Sequence, residues 1–127
     1  MSSPFRHVIL EVQNGVHRVR LRNRRLDEVE LADLTDELIG LLDNGCRLMA
    51  LSLGPEPPLF LYSVFLARLV TLQRMLRERG GALILCELKP EVMRIFEACR
   101  LELQFRFARD LDEASALLLQ TVAPTSK

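Results

Sequence analysis

The chain has 127 residues, of which 49% are hydrophobic and 27% are charged, and its 17 basic and 17 acidic residues give zero formal net charge. This length predicts one domain over residues 1–127, with a core from about residue 8 to about 119 and terminal residues outside it. The balanced charge provides no field that attracts nucleic acid or a membrane surface. No apolar stretch reaches transmembrane length without a charge, so we expect neither a nucleic-acid partner nor a membrane span.

Three cysteines are present: Cys46, Cys86 and Cys99. Their odd number, the lack of CxxC spacing and the absence of a nearby histidine disfavour both a disulfide framework and a metal site. Cys86 in an apolar run and Cys99 in a helical pattern predict buried, reduced thiols. With an N-terminus that lacks a signal-peptide pattern, this predicts a cytoplasmic protein without metal or cofactor.

The chain opens with two β-rich runs, residues 7–12 and 16–21, on either side of Gln13-Asn14-Gly15. Asn-Gly between such runs is the strongest short signal for a hairpin. In the second run Val19 and Leu21 alternate with arginines 18, 20 and 22, which predicts one buried and one solvated face.

Leucines then recur at helical spacing, and Asp43-Asn44-Gly45 supplies a helix stop; they are Leu31, Leu34, Leu38, Leu41 and Leu42. The acidic residues of the same segment are expected to be spread around a solvated helix. Residues 47–53 and 82–86 are almost uninterruptedly apolar, which is typical of strands covered on both faces.

A proline-rich loop at residues 54–58 leads from the first of these strands into a long helix that runs to Arg79. Pro90 opens a short third helix, residues 103–107 alternate like a last strand, and Asp110 is placed to cap a final helix. The order β-β-α-β-α-β-α-β-α predicts an α/β domain, in which a mixed sheet begins with the hairpin and is packed with four helices.

Several segments carry a resemblance to a known family: the leucine-rich strand before the loop, Ser63 at the start of the second helix, residues 77–86 (RERGGALILC) and residues 89–97 (KPEVMRIFE). They resemble the STAS domain, named for sulphate transporters and anti-sigma-factor antagonists. Leu26-Asp27 and residues 110–114 are similar to its first loop and its closing helix. The resemblance covers residues 8 to about 119 and implies a non-enzymatic binding module.

The resemblance also implies where a partner would bind. In bacterial antagonists an Asp-Ser-Ser/Thr-Gly motif opens the second helix, and a partner anti-sigma kinase phosphorylates its first serine. Counting back from Gly80-Gly81 places Ser63 at that serine, while other residue types replace the acid, the second hydroxyl and the glycine. Ser63 is therefore the candidate phosphorylation site. The candidate partner-binding residues are Asp27, Leu59, Phe60, Leu61, Tyr62, Val64 and Phe65.

Other interpretations of the same residues stay open. Ser63 could serve only as a helix N-cap, and most of the apolar residues around it could fold back over the core. An exposed Phe60 or Tyr62 would instead bind a partner or a second copy. The chain would then be a subunit of a larger assembly, such as a stressosome-like scaffold or a lipid-transport ATPase complex, without phosphorylation.

An enzyme is the weakest hypothesis, because only His7 or His17 could act as a base for Ser63 and neither lies in a motif of nucleophilic catalysis.

Overall fold

The computed structural model describes residues 7–22, 28–53 and 62–122, which form five strands and four helices. Their bounds in chain order are β1 Val8–Gln13, β2 Val16–Leu21, α1 Glu28–Asp43, β3 Leu48–Ser52, α2 Tyr62–Glu78, β4 Ala82–Cys86, α3 Pro90–Ala98, β5 Arg106–Ala108 and α4 Leu111–Val122. The predicted α/β order is confirmed.

The five strands form one mixed sheet in the order β1-β2-β3-β4-β5. β1 and β2 are antiparallel, and Asn14 and Gly15 join them with φ angles of 53° and 82°. Positive φ at both residues of a two-residue loop is typical of a type I′ turn, which matches the strand twist. β3, β4 and β5 continue in parallel from β2, so the predicted hairpin and mixed sheet are both confirmed.

Two apolar layers cover the sheet. Side chains of α1, α2 and α3 pack with Val19, Leu51 and Leu85 on one face, while α4 packs with Ala50 and Ile84 on the other. Alternate residues of a strand point to opposite faces, so an almost wholly apolar strand such as β3 fits a position covered on both sides. All five leucines predicted for the inner face of α1 are buried.

The last strand lies later in the chain than its alternating pattern predicts. β5 spans Arg106–Ala108 and pairs only with Ile84–Cys86 of β4. Leu103, predicted to be part of this strand, lies in a turn and is 90% exposed. The chain leaves α3 through Arg100 in a left-handed conformation, with φ of 59°, and turns before it reaches β4.

The glycine pair after α2 has the predicted role of ending a helix and starting a strand. Gly80 has a φ of 81°, a left-handed conformation that glycine adopts without strain. Gly81 passes so close to β3 that an added Cβ would lie 2.0 Å from the carbonyl oxygen of Arg47. That carbonyl accepts a 2.9 Å hydrogen bond from Ala82 N–H, so this position admits only glycine without a backbone shift.

Candidate functional site

The start of α2 lies at the edge of the sheet where the parallel strands end. β2, β3, β4 and β5 are parallel, so their carboxyl ends share one edge. Since α2 follows β3 in the chain, its N-terminus lies at this edge, where α/β sheets commonly bind ligands and partners. The described side chains of this region are those of α2 from Val64 onward and those of the strand ends.

The structure separates two of the predicted partner-binding residues. Val64 is 37% exposed, whereas Phe65 is 1% exposed and packs in the main core. The assignment of Phe65 to a docking surface is therefore wrong, because its ring fills the space between α2 and the sheet. Periodicity explains the difference, since Phe65 begins the buried stripe that Leu69 and Leu72 continue.

The structure describes the remaining predicted site residues only in part. Tyr62 and Ser63 are the first two residues of α2, and their side chains lie outside the described part of the chain. Asp27 and residues 59–61 lie outside it altogether. The roles of these residues remain predictions.

The described face of the first turns of α2 combines the exposed Val64 and Ala67 with the partly exposed Arg68 and Thr71. Val64 and Ala67 are exposed, and the Thr71 hydroxyl donates a 3.3 Å hydrogen bond to the Ala67 carbonyl. The first turn contains no acidic residue, so no side-chain carboxylate of that turn offsets the positive end of the helix dipole. The described side chains at the start of α2 are therefore small apolar ones with one arginine, and the positive end of the helix dipole favours a negative group there.

A polar cluster ties three strand ends together at the same edge; we call it the strand-end cluster, formed by Arg20, Ser52 and Glu87. The buried Ser52 hydroxyl donates to Glu87 Oε1, and Arg20 Nη1 donates to the same oxygen over 3.1 Å. Arg20 and Glu87 side chains are 50% and 31% exposed. Glu87 adopts a φ of 59°, which lets the chain turn directly after β4.

The strand-end cluster was not predicted from the sequence, although a signal was present. Ser52 is the only polar residue in the apolar run of β3, and a buried hydroxyl requires a hydrogen-bond partner. Glu87 immediately follows the neighbouring buried strand, so parallel pairing brings it close to Ser52. The cluster fixes the direction in which β3 leaves the sheet, just before the loop that leads to α2.

The arginines of β2 differ in their surroundings. Arg18 was predicted to lie on a solvated face, but its side chain is 14% exposed. It contacts Glu11 at 3.3 Å, Asp112 at 3.0 Å and Ser115 Oγ at 3.3 Å. The prediction was wrong because α4 covers this face of the sheet and carries acceptors for the guanidinium. Arg20, further along β2, is half-exposed as expected.

Burial determines the reactivity of the cysteine thiols. Burial raises the pKa of the Cys46 and Cys86 thiols to about 12, and for Cys86 the neighbouring Glu87 carboxylate adds to the rise. Both thiols therefore stay protonated and unreactive near neutral pH. Cys99 was predicted to be buried but is exposed, because α3 ends at Ala98 and the chain turns away after it.

The two histidines occupy different positions relative to α2. His17 pairs with Met49 near the amino end of β3, whereas α2 follows the carboxyl end, so His17 cannot act on Ser63. His7 is buried. Its backbone N–H donates a 3.0 Å hydrogen bond to Glu37 Oε1, and its imidazole Nε2 lies 4.0 Å from Asp33 Oδ2. Asp33 and Glu37 therefore contact His7, whereas the sequence pattern predicted that the acidic residues of α1 are solvated.

Within the described residues, no helix is both long and apolar enough to cross a membrane. No group of three or more histidine, cysteine or acidic side chains among them could hold a metal ion.

The family model for the STAS domain matches residues 60–114, from just before α2 into the start of α4. A search of the curated proteins returned no match. Together with the fold, the family match confirms the resemblance to the STAS domain that the sequence predicted.

Solved structures share the fold at low sequence identity. An anti-sigma factor antagonist from Mycobacterium paratuberculosis aligns with a TM-score of 0.70 and 18% identity, over 94% of this chain and 99% of that one. A STAS domain protein from Planctomyces limnophilus aligns at 0.70 and 16%, over 86% and 96%. The phosphorylated form of the Bacillus cell fate determinant SpoIIAA aligns at 0.64 and 16%, over 87% and 98%. At such identities the likeness establishes the fold alone.

Proposed function

We propose that this STAS-type domain is a non-enzymatic protein-binding module of the anti-sigma-factor-antagonist kind, acting as one cytoplasmic domain over residues 1–127. It docks through the N-terminus of α2 and the loop before it. The observation that carries the proposal is the exposed, acid-free first part of α2, a helix that lies within the family match. Val64 and Ala67 present small apolar contacts there.

We expect a partner that matches the described side chains at the start of α2. Its surface supplies an apolar pocket for Val64 and a carboxylate or carbonyl oxygen for the amides at the start of α2. We further propose, from the family resemblance, that the docking surface includes Leu59, Phe60, Leu61, Tyr62 and Asp27. Aromatic anchors within an apolar patch are typical of residues that dominate binding energy. An anti-sigma kinase is the partner class that the family resemblance implies.

Phosphorylation of Ser63 is the regulation we propose for this docking. A phosphate adds about −1.5 to −2 charges at pH 7, and the positive end of α2 would stabilise it. The same charge would occupy the amides that a partner needs and would place a strongly hydrated group beside Val64. The phosphorylated protein would therefore dissociate from a partner that binds the unmodified form.

The test combines phosphorylation with binding. The purified chain is incubated with an anti-sigma kinase of its own organism and ATP, and phosphate is located by mass spectrometry in the wild type and in Ser63→Ala. Binding is measured for Val64→Asp and for Leu103→Asp, a control at a position that is 90% exposed and lies beside β5.

We expect phosphate on Ser63 and a complex that Val64→Asp weakens and Leu103→Asp leaves intact. If the complex forms but Ser63 carries no phosphate, the proposed docking is supported and the proposed regulation is refuted. If neither a complex nor phosphate on Ser63 is observed, the proposal is overturned.

A further inference from the structure

β1 is an edge strand whose outer side has no strand partner among the described residues. The two-residue turn and the 2.8 Å bond from Arg22 N–H to the His7 carbonyl show that residues 7, 9, 11 and 13 direct their backbone groups toward β2. The N–H and C=O groups of the alternate residues therefore point outward. These are Val8, Leu10 and Val12.

The side chains of β1 do not protect this edge. Ile9 is 46% exposed and Val12 is 52% exposed, on opposite faces of the strand. Natural edge strands are commonly blocked by lysine, proline or inward-pointing charge, but β1 has neither lysine nor proline. Its one charged residue, Glu11, is already paired with Arg18 at 3.3 Å and accepts a 2.9 Å bond from Gln13.

We propose that β1 pairs with β1 of a second copy of this chain, antiparallel, about a twofold axis between Leu10 and the partner's Leu10. In this register Val8 faces the partner's Val12, so every outward N–H and C=O of the three outward-facing residues gains a hydrogen-bond partner. Ile9 lies opposite the partner's Glu11, whose carboxylate is 3.3 Å from Arg18 of its own chain. Both exposed apolar side chains of β1 gain a neighbour.

Other registers of the two β1 strands give less favourable contacts between the copies. A twofold axis at Glu11 places two carboxylates directly opposite each other, which is destabilising. An axis at Ile9 places Val12 opposite residue 6, beyond the end of the partner's β1. The axis at Leu10 is therefore the one that uses the whole strand without opposing like charges.

The opposite edge of the sheet does not offer the same surface. β5 has three residues against the six of β1. Pairing of β1 with β5 would also be head-to-tail and would continue from copy to copy, whereas β1 with β1 closes after two. A single added strand buries less than the roughly 1,600 Å² of a standard interface, so we expect a dimer that dissociates on dilution.

The oligomeric state tests the pairing. Analytical ultracentrifugation of the full chain, from about 10 μM to about 1 mM, measures whether the mass rises from 14.5 kDa toward twice that value. Val12→Pro removes an outward N–H that β2 does not use, and Ile9→Lys with Val12→Lys adds edge charges. The matched control is Leu103→Lys, at an exposed leucine beside the other edge. We expect the β1 variants to stay monomeric and the control to dimerise like the wild type.

Cross-linking tests the register. In a Cys99→Ser background, Ile9→Cys chains are mixed with Glu11→Cys chains and oxidised; the remaining cysteines, Cys46 and Cys86, are buried. Residues 9 and 11 of the two copies form a non-hydrogen-bonded pair with Cα atoms about 4.5 Å apart, which a disulfide can bridge. We expect a covalent dimer from the mixture and little from either variant alone.

A wild type that stays monomeric over the whole range, or a dimer that the β1 variants do not weaken, would overturn the proposal. Equal cross-linking by Glu11→Cys alone would overturn the register. Unfolding of each variant, followed by circular dichroism, shows that the loss of dimer is not a loss of fold. Neither result depends on the docking function of α2, so the two proposals fail separately.

Discussion

Glu87 is the residue on which the ends of three strands depend. Its carboxylate accepts hydrogen bonds from Ser52 and Arg20, and its backbone holds a left-handed conformation that costs a non-glycine residue about 1–2 kcal/mol. Here the side chain fixes where β3 leaves the sheet toward the loop before α2.

Two substitutions at Glu87 distinguish the contribution of its side-chain contacts from the cost of its backbone conformation. We expect Glu87→Ala to lower the free energy of unfolding by about 1–3 kcal/mol, because Ser52 and Arg20 lose an acceptor. Glu87→Gly loses the same contacts but relieves the backbone, so it should be more stable than Glu87→Ala by about 1 kcal/mol. Urea denaturation measures both, with the exposed Lys89→Ala as control. Wild-type stability in Glu87→Ala would contradict this role.

Two glycines give opposite predictions for the same substitution. Gly81→Ala places a Cβ 2.0 Å from the Arg47 carbonyl, so we expect a loss of about 1–3 kcal/mol from the forced backbone shift. Gly40 lies within α1 with nothing within 4 Å of its added Cβ. Gly40→Ala should therefore stabilise the protein by about 0.5–1 kcal/mol. Thermal unfolding that ranks the two variants the other way would refute the close approach of Gly81.

His17 predicts part of the pH dependence of stability. Burial lowers its pKa from 6.5, so the unfolded chain binds a proton more readily than the folded one. Stability should therefore fall as the pH drops below about 6.5, before most carboxylates titrate. In His17→Gln this fall should be shallower between about pH 6.5 and 5. Parallel stability curves for the two proteins in that range would show that His17 does not contribute.

At the scale of elements, α2 joins a buried stripe to an exposed apolar start. Phe65 and Val64 are adjacent in sequence, yet they are 1% and 37% exposed. Phe65→Ala should lower the free energy of unfolding by about 3–5 kcal/mol, because it leaves a cavity between helix and sheet. Val64→Ala should change it by no more than about 0.5 kcal/mol. Similar losses in chemical denaturation would mean that Val64 is part of the core.

Periodicity predicted the elements where one physical requirement dominated. The α1 leucines, the type I′ hairpin and the Asp110 cap of α4 required only local pattern, and Asp110 Oδ1 accepts a 2.9 Å bond from Glu113 N–H. The last strand was misplaced because its alternation continued into a turn that tertiary pairing with β4 excludes. The local sequence pattern does not indicate which residues pair with β4.

Side chains that depend on a distant element were harder to predict. Arg18 was predicted to be solvated because nothing in β2 indicates that α4, almost a hundred residues later, brings Asp112 and Ser115 over it. The strand-end cluster likewise joins residues from three strands. For the candidate site, family resemblance located the start of α2, while burial was needed to remove Phe65 from its exposed surface.

At the scale of the whole molecule, the two proposals concern different elements. The described start of α2 follows β3, whereas β1 is separated from β3 by β2 in the sheet. We expect a dimer formed through β1 to leave the start of α2 accessible on each copy. Such a dimer would bind two partners, and linking two sites strengthens binding to any partner that is itself paired.

Docking through the start of α2 is tested most directly by titrating the chain with a purified anti-sigma kinase in a calorimeter. We expect binding of one partner per chain, weakened at least about tenfold, or about 1.4 kcal/mol, by Val64→Asp. Leu103→Asp, at the 90% exposed control position, should bind like the wild type. Unchanged affinity in a folded Val64→Asp protein, or equal weakening by both variants, would contradict docking through α2.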